Sequence, residues 1–297
     1  MRTEPERSLL TRVLHLLEYW AARLALFGVD LLPPAAASRW AAALGSLWWT
    51  ADRPRRRVAV SNILRAGVAD DARQARAIGR GAARHMGMVL VESMKSALVL
   101  DDPERLRVHV PEDVAAVLED PDRGLIVVSG HFGNWEIAGQ WLSRYKPVAG
   151  ISRPMNNPRV QKLALERRQR GAFQMIPKYD PDPGRFLKLL GDGEILALLV
   201  DQHARQGIDV PFFGHPAKTH TTAAMLHLVA RAPLTFAVCR RTAPMTFELT
   251  LSRLIEQQRS GDRNADVQAI LRTLNSLLEE AIRRDPDQYL WGHRRWR

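Results

Sequence analysis

The run Gly124-Leu-Ile-Val-Val-Ser129 constrains this chain more than any other stretch, because it is apolar without a break, β-branched in its middle and bounded by Gly124 and Gly130. A strand with one wet face alternates apolar and polar residues. An unbroken run of this length suits a strand buried on both faces, and such strands belong to parallel sheets covered by helices. Ile195 to Val200 and Leu234 to Cys239 have the same character, whereas Thr246 to Leu251 alternates as an outer strand does. Helical patterns lie between and after these runs, near 134 to 145, 157 to 171, 183 to 192, 220 to 231 and 263 to 284. Strands alternating with helices predict an α/β fold, with a mostly parallel central sheet flanked by helices.

Before Pro111 the texture is helical. Pro33-Pro34 ends a first helix, Ala36 to Trp49 reads as a second, and further helical patterns follow at 58 to 66 and 71 to 99. The chain therefore divides into a helical region, residues 1–105, and an α/β core, residues 106–297, packed as one continuous domain. Glu18, Arg23 and Asp30 interrupt the apolar stretch Val13 to Leu32, which falls short of the ~20 predominantly apolar residues that a membrane span needs. Leu14, Leu17, Trp20, Ala21, Leu24 and Phe27 nevertheless recur at helical spacing. Two readings fit: a helix lying in a bilayer interface, or a surface helix packed on the domain's own core. Trp48-Trp49 followed by Asp52-Arg53-Pro54-Arg55-Arg56-Arg57 has the pattern of an interface anchor beside a headgroup-binding patch. A solvated charged turn has the same composition. No short apolar block followed by a small-residue cleavage site marks a signal peptide.

The formal net charge of +11 is carried mostly by arginine and attracts anionic partners. Nucleic acid, anionic lipid headgroups and an acidic carrier protein all qualify. No helix-turn-helix, zinc-finger or RNA-binding signature is present, so nucleic acid is not expected. Cys239 is the single cysteine, which leaves no disulfide framework and no cysteine-based zinc site, and neither a cofactor nor a metal is expected. The chemistry then falls to histidine, carboxylates, hydroxyls or arginine.

Such residues gather in Ser129-Gly-His131-Phe-Gly-Asn134-Trp135-Glu136, where a buried strand ends and a helix begins. In open α/β sheets ligands bind beyond the carboxyl ends of the strands. On one continuous helix, residues five apart face about 140° away from each other, so His131 and Glu136 can meet only if His131 lies in the turn before the helix. Gly130 and Gly133 permit that turn, and Asn134 is a favourable N-cap. Glu136 then falls in the first helical turn, where the helix dipole favours a carboxylate. A carboxylate beside an imidazole fixes its tautomer and stabilises the imidazolium, leaving the other nitrogen to accept a proton from a hydroxyl. A histidine cap or a structural ion pair would show the same residues.

His131, four residues and Glu136 resemble the H-x4-D/E motif of the glycerolipid acyltransferase superfamily. The surrounding text is similar to the lipid A biosynthesis lauroyl/myristoyl acyltransferase family. Its supporting stretches are Ile151-Ser-Arg153-Pro154-Met-Asn-Asn-Pro158, Leu198-Leu-Val-Asp201-Gln202, Val210-Pro-Phe-Phe-Gly214 with His-Pro-Ala-Lys-Thr219, and Asp285 to Trp296, in one order over nearly the whole chain. The resemblance implies an enzyme peripheral or monotopic on the cytoplasmic face of the bacterial inner membrane, in contact with its anionic surface. It would transfer an acyl chain from acyl carrier protein to a hydroxyl of a lipid A precursor. His131 would be the general base and Glu136 its charge partner, with Arg153, Asn134, Asp201 and Gln202 binding substrate or shaping the site. Two departures favour the lipid A branch over the phospholipid-making one: Glu136 in place of Asp, and Asp201-Gln202 where a Phe-Pro-Glu-Gly block usually stands. His-Phe-Gly-Asn-Trp-Glu is also similar to phosphatidylinositol mannoside acyltransferases, so another glycolipid or phospholipid acceptor, and acyl-CoA as donor, stay open.

Three lesser features complete the reading. His203 suits a solvated loop, and Phe212 or Phe213 an acyl tunnel or the core. Thr219, Thr221 and Thr222 suit helix caps. His293, Arg294, Arg295 and Arg297, interleaved with Trp291 and Trp296, suit a headgroup or carrier contact or a solvated tail.

Overall fold

The computed structural model describes residues 9–153, 155–168, 173–177, 182, 184–256 and 259–296. Residues 1–8, Pro154, residues 169–171 of one expected helix, residue 183 of another and Arg297 lie outside them. The described residues form nine strands: β1 (Leu106–His109), β2 (Leu125–Ser129), β3 (Val148–Ser152), β4 (Phe173–Pro177), β5 (Ile195–Leu199), β6 (Ile208–Phe212), β7 (His215–Thr219), β8 (Leu234–Ala243) and β9 (Thr246–Leu251). Seven form one sheet in the order β1-β9-β8-β2-β5-β3-β4, while β6 and β7 make a separate antiparallel hairpin. Every pairing in the large sheet is parallel except the β8–β9 hairpin. The expected mostly parallel α/β sheet is what the structure shows.

The continuous apolar runs occupy the middle of that sheet for the reason anticipated. All five residues of β2 are buried. Because side chains alternate along a strand, Ile126 and Val128 enter one core with Leu274 and Leu278 of α11 (Arg263–Arg284), while Leu125 and Val127 enter a second. The second is closed by α6 (Glu112–Glu119) and α7 (Trp135–Leu142), through Val114, Val117, Ile137 and Trp141. Burying each such aliphatic side chain contributes ~1.5–3 kcal/mol. The alternating segment at Thr246 to Leu251 is not the edge: β1, too short to announce itself, covers it.

Upstream stand α1 (Leu9–Leu31), α2 (Pro34–Ala51), α3 (Arg53–Arg65), α4 (Ala72–Met94) and α5 (Ala97–Leu100). The pattern at 71 to 99 thus contains two helices, parted at Lys95-Ser96. Helices α2 and α4 touch through glycine: a Cβ on Gly45 would lie 2.2 Å from the Ala83 carbonyl oxygen, and one on Gly87 would lie 2.3 Å from that of Ala41. Helix α1 packs differently. Val29 is its one buried residue among those described, and Leu10, Leu14, Leu17, Trp20, Leu24, Phe27 and Leu31 form an exposed apolar stripe. Asn157 ties α1 to the core by donating to the His15 carbonyl and to Glu18, each at 2.8 Å. Among the described residues no helix is both long and apolar enough to cross a membrane.

The remaining helices are α8 (Pro158–Arg168), α9 (Gly184–Gly191) and α10 (Thr222–Ala230). After α11 the chain turns back through a 3-10 turn, Pro286–Gln288, into the body of the protein. Trp291 and Arg295 are buried there, and the Asn62 amide donates to the carbonyls of Trp291 and His293 at 2.9 and 2.7 Å. Arg295 donates to the Lys218 carbonyl and to Thr219 Oγ1 at 2.5 and 2.7 Å. The solvated-tail reading is therefore corrected for Arg295, which is drawn inward by these bonds, while Arg294 stays exposed.

Candidate active site

Strands β2 and β5 are parallel neighbours with Ser129 opposite Leu199, and Val200 N–H donates to the Ser129 carbonyl at 3.1 Å. Two residues beyond each of these partners come His131 and Asp201, which the shared register delivers to one spot at the sheet's carboxyl edge. Asp201 Oδ1 lies 2.8 Å from His131 Nδ1, and its Oδ2 accepts from the His131 backbone N–H at 3.0 Å. One buried carboxylate therefore holds both the ring and the main chain of the histidine. It fixes the proton on Nδ1 and leaves Nε2 as the basic nitrogen. Burial works against charge on His131, but the negative charge of Asp201 and its hydrogen bond outweigh it, with Glu136 adding to them, and the imidazole pKa is raised. Burial likewise opposes ionisation of Asp201, yet His131 brings its pKa below the ordinary value.

The turn that carries His131 is clamped by backbone bonds. Gly133 adopts φ +57°, and a Cβ there would stand 2.0 Å from the Cys239 carbonyl oxygen, so only glycine fits. Gly133 N–H donates to the Gln288 carbonyl, Asn134 N–H to that of Cys239, and Leu290 N–H to that of His131, at 3.0, 2.7 and 3.0 Å. Asn134 is the N-cap expected, its Oδ1 accepting from Ile137 N–H at 3.2 Å. Helix α7 starts immediately after it.

His131 opens on a cavity of about 660 Å³, within the ~300–1,000 Å³ range of small-ligand sites. Trp135 meets the imidazole edge to face, with ring centroids 5.0 Å apart. Glu136 and Gln202 line the same cavity, and the Gln202 amide nitrogen lies 3.5 Å from His131 Nε2. Inward, Val127, Ala197 and Ala237 on the strands face Ala138, Gly139 and Leu142 on α7, making an apolar slot floored by small side chains. Outward, Arg153 is exposed and lines the solvent side. Among the described residues no group of three or more His, Cys, Asp or Glu side chains is placed to hold a metal ion.

A strand-to-helix histidine clasped by a carboxylate beside an apolar slot suits proton abstraction next to a long-chain ligand. The family model of the bacterial lipid A biosynthesis acyltransferases matches residues 6–297. This chain belongs to that family. The palmitoleoyltransferase of lipid A biosynthesis from Escherichia coli is 27% identical over 219 residues, covering 72% of this chain and 69% of the relative. The lauroyltransferase of lipid A biosynthesis from the same organism is 27% identical over 179 residues, covering 59% and 56%. A phosphatidylinositol mannoside acyltransferase of Mycolicibacterium smegmatis is 27% identical over 120 residues, 39% of this chain and 40% of that one. The chain is accordingly an O-acyltransferase.

The lipid A family acyltransferase brings together four of the six residues singled out in its sequence, His131, Glu136, Arg153 and Gln202, around one cavity. The carboxylate at His131 Nδ1 is Asp201, and Glu136, expected as the charge partner, lines the cavity from the start of α7 and also raises the imidazole pKa. Asn134 is fully buried with its Oδ1 committed to the cap and to Ser93 Oγ, so it shapes the turn. Phe212 and Phe213 stay away from the cavity, packed in the core beside Tyr289, Trp291 and Trp296. His203 is half-buried, its backbone N–H donating to His293 Nε2 at 3.1 Å. Tyr289 was given no role in the sequence; it is buried, and burial, then the charge of Asp201, hold its pKa well above the usual phenol value.

Proposed function

We propose that this acyltransferase moves a fatty acyl group from acyl carrier protein to a hydroxyl of a lipid A precursor, with His131 as general base. The observation that carries this reading is the Asp201 clasp, which fixes the His131 proton on Nδ1 and turns a basic Nε2 toward the cavity. Nε2 takes the proton of the acceptor hydroxyl as its oxygen attacks the thioester carbonyl. The C–S bond then breaks, and the departing thiolate recovers that proton from the imidazolium. The donor is already activated, so no enzyme nucleophile is required. Asp201 and Glu136 stabilise the positive ring while it holds the proton. Gln202 is placed to hold the attacking oxygen, and Arg153, at the solvent side, suits a phosphate of acceptor or donor. The slot between the sheet and α7 takes the acyl chain.

The exposed stripe of α1 suits a helix lying in an interface at the cytoplasmic face of the inner membrane, peripheral or monotopic, with the net charge of +11 favouring anionic lipid and an acidic carrier. The likeness to a phosphatidylinositol mannoside acyltransferase favours a second reading, the same chemistry on another glycolipid or phospholipid, from acyl-CoA or acyl carrier protein. Lipid mass spectrometry of a strain lacking this chain, complemented with wild type or His131→Ala, tests both. The wild type restores one acyl chain on one lipid, whose mass identifies the acceptor, and His131→Ala restores none. In vitro the variant loses at least ~100-fold in turnover, and unaltered turnover rejects the assignment.

A further inference from the structure

His85 on α4 takes no part in the chemistry above, yet it reaches the turn that carries His131. It is 4% exposed, and its Nε2 lies 3.0 Å from the Gly133 carbonyl oxygen. Its Nδ1 contacts Arg241 Nη1. Arg241 is held in turn by the wholly buried Glu92, with Nε 2.9 and 3.1 Å from the two carboxylate oxygens and Nη2 at 2.5 Å. Glu92 also accepts from Ser38 Oγ at 2.7 Å and from Met245 N–H at 3.2 Å.

This chain of partners decides where the His85 proton sits. A guanidinium offers only donors, so Nδ1 facing Arg241 must be the bare, accepting nitrogen. The hydrogen is then on Nε2, and it donates to Gly133. Burial first, and the Arg241 charge second, push the His85 pKa well below its ordinary value, so the ring stays neutral. Among the described residues, Arg241, itself paired with Glu92, is the charged group against His85, and Asp201 and Glu136 act on His131.

Resting on the general-base reading, we propose that His85 is a positioning residue: it anchors the Gly133 carbonyl and so keeps the His131 turn where Asp201 can hold it. The peptide joining Gly133 to Asn134 is gripped at both ends, its N–H by the Cys239 carbonyl at 2.7 Å and its C=O by His85. Gly133 at φ +57° has no side chain to resist rotation once that C=O loses its donor. Rotation there moves a loop whose reacting nitrogen lies two residues upstream, and an error of ~1 Å can cost ~100-fold in rate.

The test uses the full chain and two polar variants. His85→Gln keeps a donor at the position of Nε2, whereas His85→Asn keeps an acceptor toward Arg241 but cannot reach Gly133. The asparagine variant is expected to lose ~10–100-fold in kcat with KM unchanged. The acid limb of its pH profile moves to lower pH as His131 slackens from Asp201. The glutamine variant stays within a few-fold of wild type, with the limb in place. Equal kcat and equal acid limbs in the two variants overturn the proposal, as does a loss carried by KM alone. Should either variant fail to fold, ¹⁵N-histidine spectra of the wild type decide: one ring must carry its proton on Nε2 and stay neutral where the other histidines titrate, and its absence is equally fatal. His131→Ala, measured alongside, separates the levels. If it keeps wild-type turnover, the base assignment falls and this proposal with it; if it is inactive while the two His85 variants match, only this proposal falls.

Discussion

Asp201 presents one oxygen to the ring of His131 and the other to its backbone N–H, so it acts as both orienter and counter-charge. Asp201→Asn separates these roles: it keeps the shape, removes the charge and offers an amide donor where an acceptor is needed. A fall of ~10²–10⁴-fold in kcat/KM is expected. Because Asp201 raises the His131 pKa, wild-type activity should climb with pH through a midpoint above the reference value of ~6.5, and that midpoint should drop in the variant. Glu136→Gln removes the weaker of the two charges and should move the midpoint the same way by less, with a smaller loss of rate. Stability carries the same signature. The raised His131 pKa contributes stability that is complete below ~6.5 and lost as pH rises through its folded pKa, while the lowered Asp201 pKa contributes stability present above ~3.9 and lost as pH falls through its own. The gap in Tm between wild type and Asp201→Asn is therefore expected to be widest from about pH 4 to 6.5 and to narrow above it, which thermal unfolding across pH checks.

At the scale of elements, α1 and α7 show how far a local pattern goes. Residues 134 to 136 name a cap and a first-turn carboxylate, and α7 begins where Asn134 places it. The periodicity of α1 announces a two-faced helix, but which face is buried is decided by its neighbours. The structure leaves Leu17, Leu24 and Phe27 exposed and ties the opposite side to Asn157. If that stripe lies in a bilayer interface, Leu24→Glu with Phe27→Glu should markedly reduce co-flotation with anionic vesicles, while turnover on a detergent-dispersed acceptor stays near wild type. Undiminished flotation would show that the stripe serves another purpose. Strand β1 marks the opposite limit. Four residues, Leu-Arg-Val-His, carry too little pattern to be read as a strand, and pairing with β9 supplies their order.

In the whole molecule, Gln288 to Leu290, near the C-terminal end, reach back to the turn that carries His131. Gln288 accepts from Gly133, Leu290 donates to His131, and Tyr289 lies buried against Asp201. Removing residues 285 to 297 strips those bonds and uncovers Phe212 and Phe213, so the truncated chain is expected to lose both a cooperative thermal transition and acyl transfer; retention of either would show the wrap to be dispensable. The sequence by itself determined the α/β class, the buried strands, the His131 turn with its glycines and cap, and the family, because each is written within a short window or in blocks standing in one order. Only the tertiary structure decided that Asp201 clasps His131 from 70 residues away, that Glu136 lines the same cavity and that Arg295 is drawn inward. The physical reason is that buried apolar strands such as β2, β5 and β8 present nearly interchangeable surfaces to one another. Their order and register, and with them the residues that meet at the sheet's edge, are settled by how all the helices pack at once.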